Sequence, residues 1–303
     1  MYYIILLATK SFTFKMTSRL NRGELNIGRF TIPYCIFGNG AKVIIAINGA
    51  QQSCVSWFPV AKYFALNGGF SFVCFDLPGQ GRAKINNGLK ETTIDEQINI
   101  INAVSERFSP DMPFYMISAS WGTVIAAIYA GRFPGKVAKK ILLSFALKPN
   151  KLLMETVIKG RELEEAGQTR ELAELFIDAF GLKLADAKKN SMIDQFLSLP
   201  EEHFKQLHNQ SIYIENYECL NLETHLRNIR AETITINGED DPISEGAEYA
   251  CSIIPFAEYI SIPGAGHFLH YENPEIISLY FDFFSEKYKE NKFYRYKRNS
   301  IAA

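Results

Sequence analysis

The sequence predicts an α/β fold, a doubly wound and mostly parallel sheet interrupted by one long helical insertion. Three observations predict it. Strand-like and helix-like segments alternate from Phe30 to Phe145 and again from Thr233 to Phe284. Continuous apolar runs such as KVIIAI (42–47) and FSFVCF (70–75) have the composition of strands buried on both faces. Between Leu147 and Arg230 the alternation stops and only helical patterns remain.

The N-terminal stretch Tyr2 to Ala8 is apolar but short, and no basic residue precedes it. A secretory signal needs a basic flank, and a membrane span needs about 20 apolar residues. Met16 is an alternative start, and residues 1–15 read as an extension outside the fold. Phe30 to Phe37 is a strand turned by Gly38-Asn39-Gly40. The next strand, 42–47, stops at Asn48-Gly49, and Val55 to Leu66 is a helix closed by Gly68-Gly69. Strand 70–75 ends in the turn-rich loop Asp76-Leu77-Pro78-Gly79-Gln80-Gly81. Ile94, Ile98, Ile101, Val104 and Phe108 fall at helical spacing, so Thr93 to Phe108 is an amphipathic helix.

Phe114 to Ile117 is a strand, Thr123 to Ala130 a helix and Val137 to Phe145 a strand. In the insertion, Leu172, Leu175, Phe176 and Phe180 mark one helix closed by Gly181, and Met192, Ile193, Phe196 and Leu197 another closed by Pro200. Its position between two strands favours a lid over a merely structural lobe. Strand 233–236, helix 245–253, strand 258–262 and a last helix carrying Ile276, Ile277, Tyr280, Phe281 and Phe284 complete the pattern. The expected division is a core of 16–146 and 231–303 with a helical cap at 147–230. The basic tail (Lys289, Lys292, Arg295, Lys297, Arg298) reads as a solvated end.

With 47% hydrophobic and 21% charged residues, the protein has ample material for a core. A net charge of -1 gives no electrostatic case for nucleic acid. Cys35, Cys54, Cys74, Cys219 and Cys251 are odd in number, scattered and without a C-x-x-C. They read as free, buried thiols of a reducing compartment, which predicts a cytoplasmic protein. Neither they nor the histidines show metal-ligand spacing, so no metal and no cofactor is expected.

In an open α/β sheet, chemistry sits at the carboxyl ends of the strands. One such end carries Ser118-Ala119-Ser120-Trp121-Gly122, a serine at a sharp strand-to-helix turn between small residues, with serine where the first glycine of a nucleophile elbow is usual. A later end carries Glu239-Asp240-Asp241-Pro242, and the last carries Gly264-Ala265-Gly266-His267. The order nucleophile, acid, histidine is that of α/β-hydrolases. A serine hydroxyl needs an imidazole to take its proton, and the imidazole needs a carboxylate to fix its tautomer. The predicted set is therefore Ser120, Asp241 and His267. Asp241 is preferred over Asp240 because Pro242 holds its predecessor extended. An oxyanion needs two backbone donors, here the amide of Trp121 and that of Ala50 or Gln51. Asp76 reads as loop-shaping, and His203, His208, His225 and His270 as surface or structural.

Asn48-Gly49-Ala50, Phe75-Asp76-Leu77-Pro78, Ser118 to Gly122, Ile236-Asn237-Gly238 and Gly266-His267-Phe268-Leu269 together resemble the acyltransferases that open rhamnolipid biosynthesis, the hydroxyalkanoyloxy-alkanoate synthases. Serine before the elbow and asparagine before Gly49 are the most discriminating features of that resemblance. It implies an α/β-hydrolase fold and an acyl-enzyme on Ser120. It also implies that 3-hydroxyacyl units, taken from acyl carrier protein or coenzyme A thioesters, are joined into hydroxyalkanoyloxy-alkanoates. A neighbouring family moves the 3-hydroxyacyl group from carrier protein to coenzyme A, and a simple esterase or thioesterase would let water deacylate the serine. A non-catalytic binding protein of the same fold is the remaining alternative. Transfer requires a dry pocket, for which the cap offers Leu152, Leu153, Val157, Phe176, Met192, Phe196, Ile212 and Tyr213. Arg82, Lys84 and Lys151 are the basic residues offered to an acidic carrier protein.

Overall fold

The computed structural model describes residues 20–89 and 91–288. The expected N-terminal extension, the alternative start at Met16 and the basic tail from Lys289 lie outside the described residues. The first elements are β1 (Leu20–Ile27) and β2 (Phe30–Gly38), an antiparallel pair in register from Leu20↔Phe37 to Ile27↔Phe30. The sequence pattern did not predict β1. It is an edge strand with no fully buried residue, so its LNRGELNI carries none of the apolar signature of an inner strand.

β3 (Lys42–Ile47) and β4 (Phe70–Phe75) have the predicted bounds. Between them the predicted single helix is divided into a 3₁₀ turn, Cys54–Trp57, and α1 (Phe58–Asn67). Pro59 has no N–H to continue the earlier turn, and it sits where a new helix begins. Next come β5 (Lys84–Ile85), α2 (Ile94–Phe108), β6 (Phe114–Ala119), α3 (Trp121–Arg132) and β7 (Val137–Leu143). Thr93 is the N-cap of α2, with a reciprocal capping box to Glu96. Arg29 grips the same Glu96 at 2.8 and 3.0 Å, tying the first hairpin to this helix.

The insertion contains α4 (Lys151–Glu165), α5 (Thr169–Phe180), α6 (Asp186–Leu197) and α7 (Glu201–Glu215). A 3₁₀ turn, Tyr217–Leu220, and α8 (Leu222–Asn228) lead out of it. α4 packs on α5 and α7, and α5 on α6. α8 lies instead on the sheet layer against α3. The approach is so close that a Cβ on Gly131 would stand 2.4 Å from the His225 carbonyl oxygen. β8 (Glu232–Gly238), α9 (Ala247–Ile253), β9 (Ala257–Ile262), α10 (Leu269–Glu272) and α11 (Ile276–Phe284) complete the fold.

The strands run β1-β2-β4-β3-β6-β7-β8-β9, with β5 on β2, and all neighbours from β4 to β9 are parallel. Alternate side chains feed two cores. Ile45, Ile47, Val73 and Phe75 meet α2, α3, α8 and α9, while Ile44, Ala46, Phe72 and Ile141 meet α1 and α11. The mostly parallel, doubly wound sheet with helices on both faces is the fold the sequence predicts. All five cysteines are free, but Cys219 is exposed, contrary to the expectation of burial throughout. It sits in the 3₁₀ turn before α8, at the surface. No helix of the described residues is long and apolar enough to cross a membrane.

Candidate active site

Ser120 has φ 48° and ψ -123°, a backbone that L residues rarely adopt. The turn is held from both sides. The Ser120 amide donates to the Leu143 carbonyl at 2.9 Å, and the Thr123 amide to the Ser120 carbonyl at 2.8 Å. Gly122 has no room for a side chain, since a Cβ there would lie 2.4 Å from the Asn48 carbonyl oxygen. Ser118 is fully buried, and its hydroxyl donates to the Ile141 carbonyl at 3.3 Å. A serine therefore fits where glycine is usual because its hydroxyl finds a β7 acceptor.

The loop after β9 brings His267 to Ser120, with Nε2 3.0 Å from Oγ. Its Nδ1 lies 3.1 and 3.2 Å from the two carboxylate oxygens of Asp241, on the loop after β8. The Asp241 side chain is fully buried and also accepts the Ile243 amide at 3.2 Å. Asp240 points away and pairs with Lys183 Nζ at 2.8 Å. The histidine loop is clamped by Ser144 Oγ on the His267 carbonyl (2.6 Å). Glu272 accepts the amides of Gly266 (2.5 Å) and Phe268 (3.1 Å). Burial alone would push the His267 imidazole down. The Asp241 carboxylate, with Glu272 behind it, more than offsets this and leaves it raised above its ordinary range.

Asn48-Gly49-Ala50-Gln51 forms the facing loop. Asn48 Nδ2 anchors it on the Phe75 carbonyl (3.1 Å), Gln80 Nε2 on the Gly49 carbonyl (2.8 Å), and Gln52 Oε1 on the Gly49 amide (3.2 Å). Gln51 has φ 56°, and its side chain donates to the His203 carbonyl of α7 at 3.0 Å. The amides of Ala50, Gln51 and Trp121 donate to no described acceptor, and the Trp121 amide opens α3 beside Ser120. Asp76 is buried and ties two loops together by accepting the amides of Cys54 (2.6 Å) and Arg82 (3.0 Å). Burial pushes its carboxyl up, against the pull of those amides. His270 stacks on Trp57 and bonds the Ser56 carbonyl through Nε2 at 3.2 Å. Burial lowers it to about 4, so it is neutral. His208 lies on Glu164 at 3.4 Å, His203 is buried on α7, and His225 sits on α8 against α3.

Above Ser120 is a cavity of about 320 Å³ between the sheet loops and α4 to α7. Leu153, Val157, Phe176, Met192 and Phe196 line it, as predicted. Leu152 and Ile212 do not, being exposed, and Tyr213 packs against Trp121 instead. The reason is the helical period. One residue's step turns a side chain about 100° from its neighbour, and apolar content alone does not say which face looks inward. Arg82, Lys84 and Lys151 are exposed, and Lys151 pairs with Glu155 at 3.7 Å. Sequence reasoning missed Glu272, Lys183 and the cavity-lining Gln210 and Tyr271. Lys183 and Tyr271 act through contacts with distant segments, on Asp240 and the Ser56 carbonyl, for which the sequence carries no local signal, whereas Glu272 closes a local loop on the amides of Gly266 and Phe268.

An (R)-3-hydroxydecanoyl-ACP:CoA transacylase of Pseudomonas aeruginosa is 25% identical over 256 residues, spanning 81% of this protein and 82% of its own length. One from Pseudomonas putida is 25% identical over 233 residues, or 76% and 77% of the two lengths. In fold, an α/β-hydrolase enzyme from a Medee basin deep-sea metagenome library superposes with a TM-score of 0.73. It is 19% identical, over 87% of this protein and 97% of that one. The family model of the alpha/beta hydrolase fold matches residues 42–274, and the protein belongs to that family.

Proposed function

We propose that this protein is a serine acyltransferase that moves a 3-hydroxyacyl group from a thioester through an acyl-enzyme on Ser120. One observation carries the reading: Asp241, His267 and Ser120 are joined by continuous hydrogen bonds at the floor of a mainly apolar cavity lined by α4 to α7. With Asp241 accepting from Nδ1–H, the lone pair of Nε2 faces the serine hydroxyl. His267 takes the hydroxyl proton as Oγ attacks the thioester carbonyl. The amide of Trp121 and that of Ala50 or Gln51 receive the developing oxyanion. Collapse breaks the C–S bond, and the departing sulfur takes the proton from Nε2. The acceptor then gives its proton to Nε2 and attacks the acyl-enzyme, and collapse breaks the bond to Ser120 Oγ, which takes the proton back from Nε2. The buried Asp241 carboxylate steadies the imidazolium in both halves. An apolar cavity disfavours water as that acceptor.

The names of the relatives support a carrier-protein thioester as donor and the thiol of coenzyme A as acceptor. The resemblance carried by Ser118 and Asn48 favours a second reading, in which the 3-hydroxyl of another acyl unit attacks and an ester dimer leaves. Mass spectrometry of a reaction with 3-hydroxydecanoyl carrier protein and coenzyme A separates them. A new coenzyme A thioester supports the first and a dimeric ester the second. Free hydroxy acid alone overturns transfer in favour of hydrolysis. Unchanged turnover and unchanged fluorophosphonate labelling in Ser120→Ala would overturn the serine mechanism.

A further inference from the structure

Lys188, Met192, Gln195 and Phe196 of α6 line the cavity over Ser120. Their spacing is that of one helix face, so Lys188 stands where leucine or methionine would continue an apolar stripe. Its charge is also unmatched. Of the other charged side chains in the cavity wall, Lys148 pairs with Glu245 at 3.3 Å, Arg161 with Glu215 at 2.7 Å and Glu164 with His208 at 3.4 Å. Lys188 meets no carboxylate among the described residues. Its Nζ lies instead over the ring of Tyr271, 3.9 Å from the centroid, and Tyr271 lines the same cavity. Burial keeps that phenol protonated, its pKa pushed up to about 12, and the adjoining His270 neutral, lowered to about 4. The Lys188 side chain is half-buried, and its Nζ, without a hydrogen-bond partner, is not one of the enclosed polar atoms, so a ligand can reach it. An ammonium has three donors and no acceptor, and the ring face covers only one side of it.

A ligand that suits this wall is apolar along most of its length, against Phe176, Met192 and Phe196, and carries an anion. One unmatched ammonium balances the single charge of a carboxylate. A phosphate dianion calls for a second cation, and Lys148 and Arg161 are already paired. We propose that Lys188 is a carboxylate-binding residue of the cavity, and that it holds a free hydroxy acid by its carboxylate, either as the acyl acceptor or as the released product. That the acid takes part in acyl transfer rests on the proposed function; the unmatched cation does not.

The test measures, by calorimetry, the Kd ratio of methyl 3-hydroxydecanoate to 3-hydroxydecanoate in wild type, Lys188→Arg, Lys188→Met and Lys188→Gln. Wild type should bind the acid on the order of tenfold or more tightly than the ester. Lys188→Arg should keep a preference for the acid, and the two neutral variants should fall to within about threefold of unity. A ratio near unity in wild type, or one that survives in the neutral variants, overturns the proposal. So does a loss of folding in both neutral variants, which would make Lys188 a structural residue. A second arm compares kcat/KM for the 3-hydroxydecanoyl thioesters of 4′-phosphopantetheine and of pantetheine. If the neutral variants erase a preference for the phosphorylated donor and leave the acid-to-ester ratio intact, Lys188 binds phosphate and the carboxylate assignment falls. If no thioester turns over while the Kd ratios behave as expected, the acyl-transfer reading fails and the carboxylate site stands.

Discussion

Replacing Asp241 by asparagine should abolish most activity while leaving the fold intact, and the geometry says why. Oδ1 accepts both the Ile243 amide at 3.2 Å and His267 Nδ1 at 3.1 Å, while Oδ2 lies 3.2 Å from the same Nδ1. An asparagine oxygen will keep the Oδ1 position, because only an acceptor can meet the Ile243 amide. The NH₂ group then occupies the Oδ2 position and sets a donor against Nδ1–H. The ring relieves the clash by moving its proton to Nε2, which then donates to Ser120 Oγ and no longer takes its proton. The expected loss is on the order of 10³–10⁴ in kcat/KM, about 4–5.5 kcal/mol of transition-state stabilisation. Asp240→Asn breaks only a half-exposed pair with Lys183 and should stay within a few-fold of wild type. The assay is steady-state thioester turnover, with fluorophosphonate labelling as a second readout of serine reactivity. Asp241→Asn activity within tenfold of wild type, or a deeper loss in Asp240→Asn, would refute the assignment of the acid.

In the proposed mechanism neutral His267 is the active form. Because its pKa stands above the ordinary range through Asp241, the acid limb of the kcat/KM profile should rise above pH 6.5 and move to lower pH in Asp241→Asn. His270 is buried with its pKa lowered to about 4, so between pH 6.5 and 4 the unfolded protein binds the extra proton. Stability should therefore be full above pH 6.5 and fall by about 3 kcal/mol as the pH drops through that window. His270→Phe, which keeps the stacking on Trp57, should flatten that slope in denaturant titrations. Gly122→Ala places a Cβ 2.4 Å from one backbone oxygen and 2.8 Å from another. It should cost about 3 kcal/mol or more, or prevent folding, as read by urea denaturation. Ser118→Gly deletes the hydrogen bond to Ile141 and should cost about 1 kcal/mol in the same assay, with kcat/KM within a few-fold of wild type.

By itself the sequence determined the inner strands and the polarity of the site. β3 and β4 are apolar runs enclosed by turn residues, and strands buried on both faces leave few alternatives for such runs. It placed a serine, an acidic cluster and a histidine at the ends of three strands, because residue order and strand ends are local properties. It did not reveal β1, whose exposed edge removes the pattern that marks a strand. The proline restriction favoured Asp241, and in the structure His267 lies against that carboxylate while Lys183 draws the Asp240 carboxylate away. The cap read as helical from its periodicity, yet which of its residues face the cavity depended on how α4 to α7 pack over the strand ends. That is why Phe176 lines the cavity, Ile212 faces solvent, and an inconspicuous Gln210 is left buried without a partner among the described residues. Periodicity sets which side chains share a face, whereas only packing of distant segments sets what that face meets.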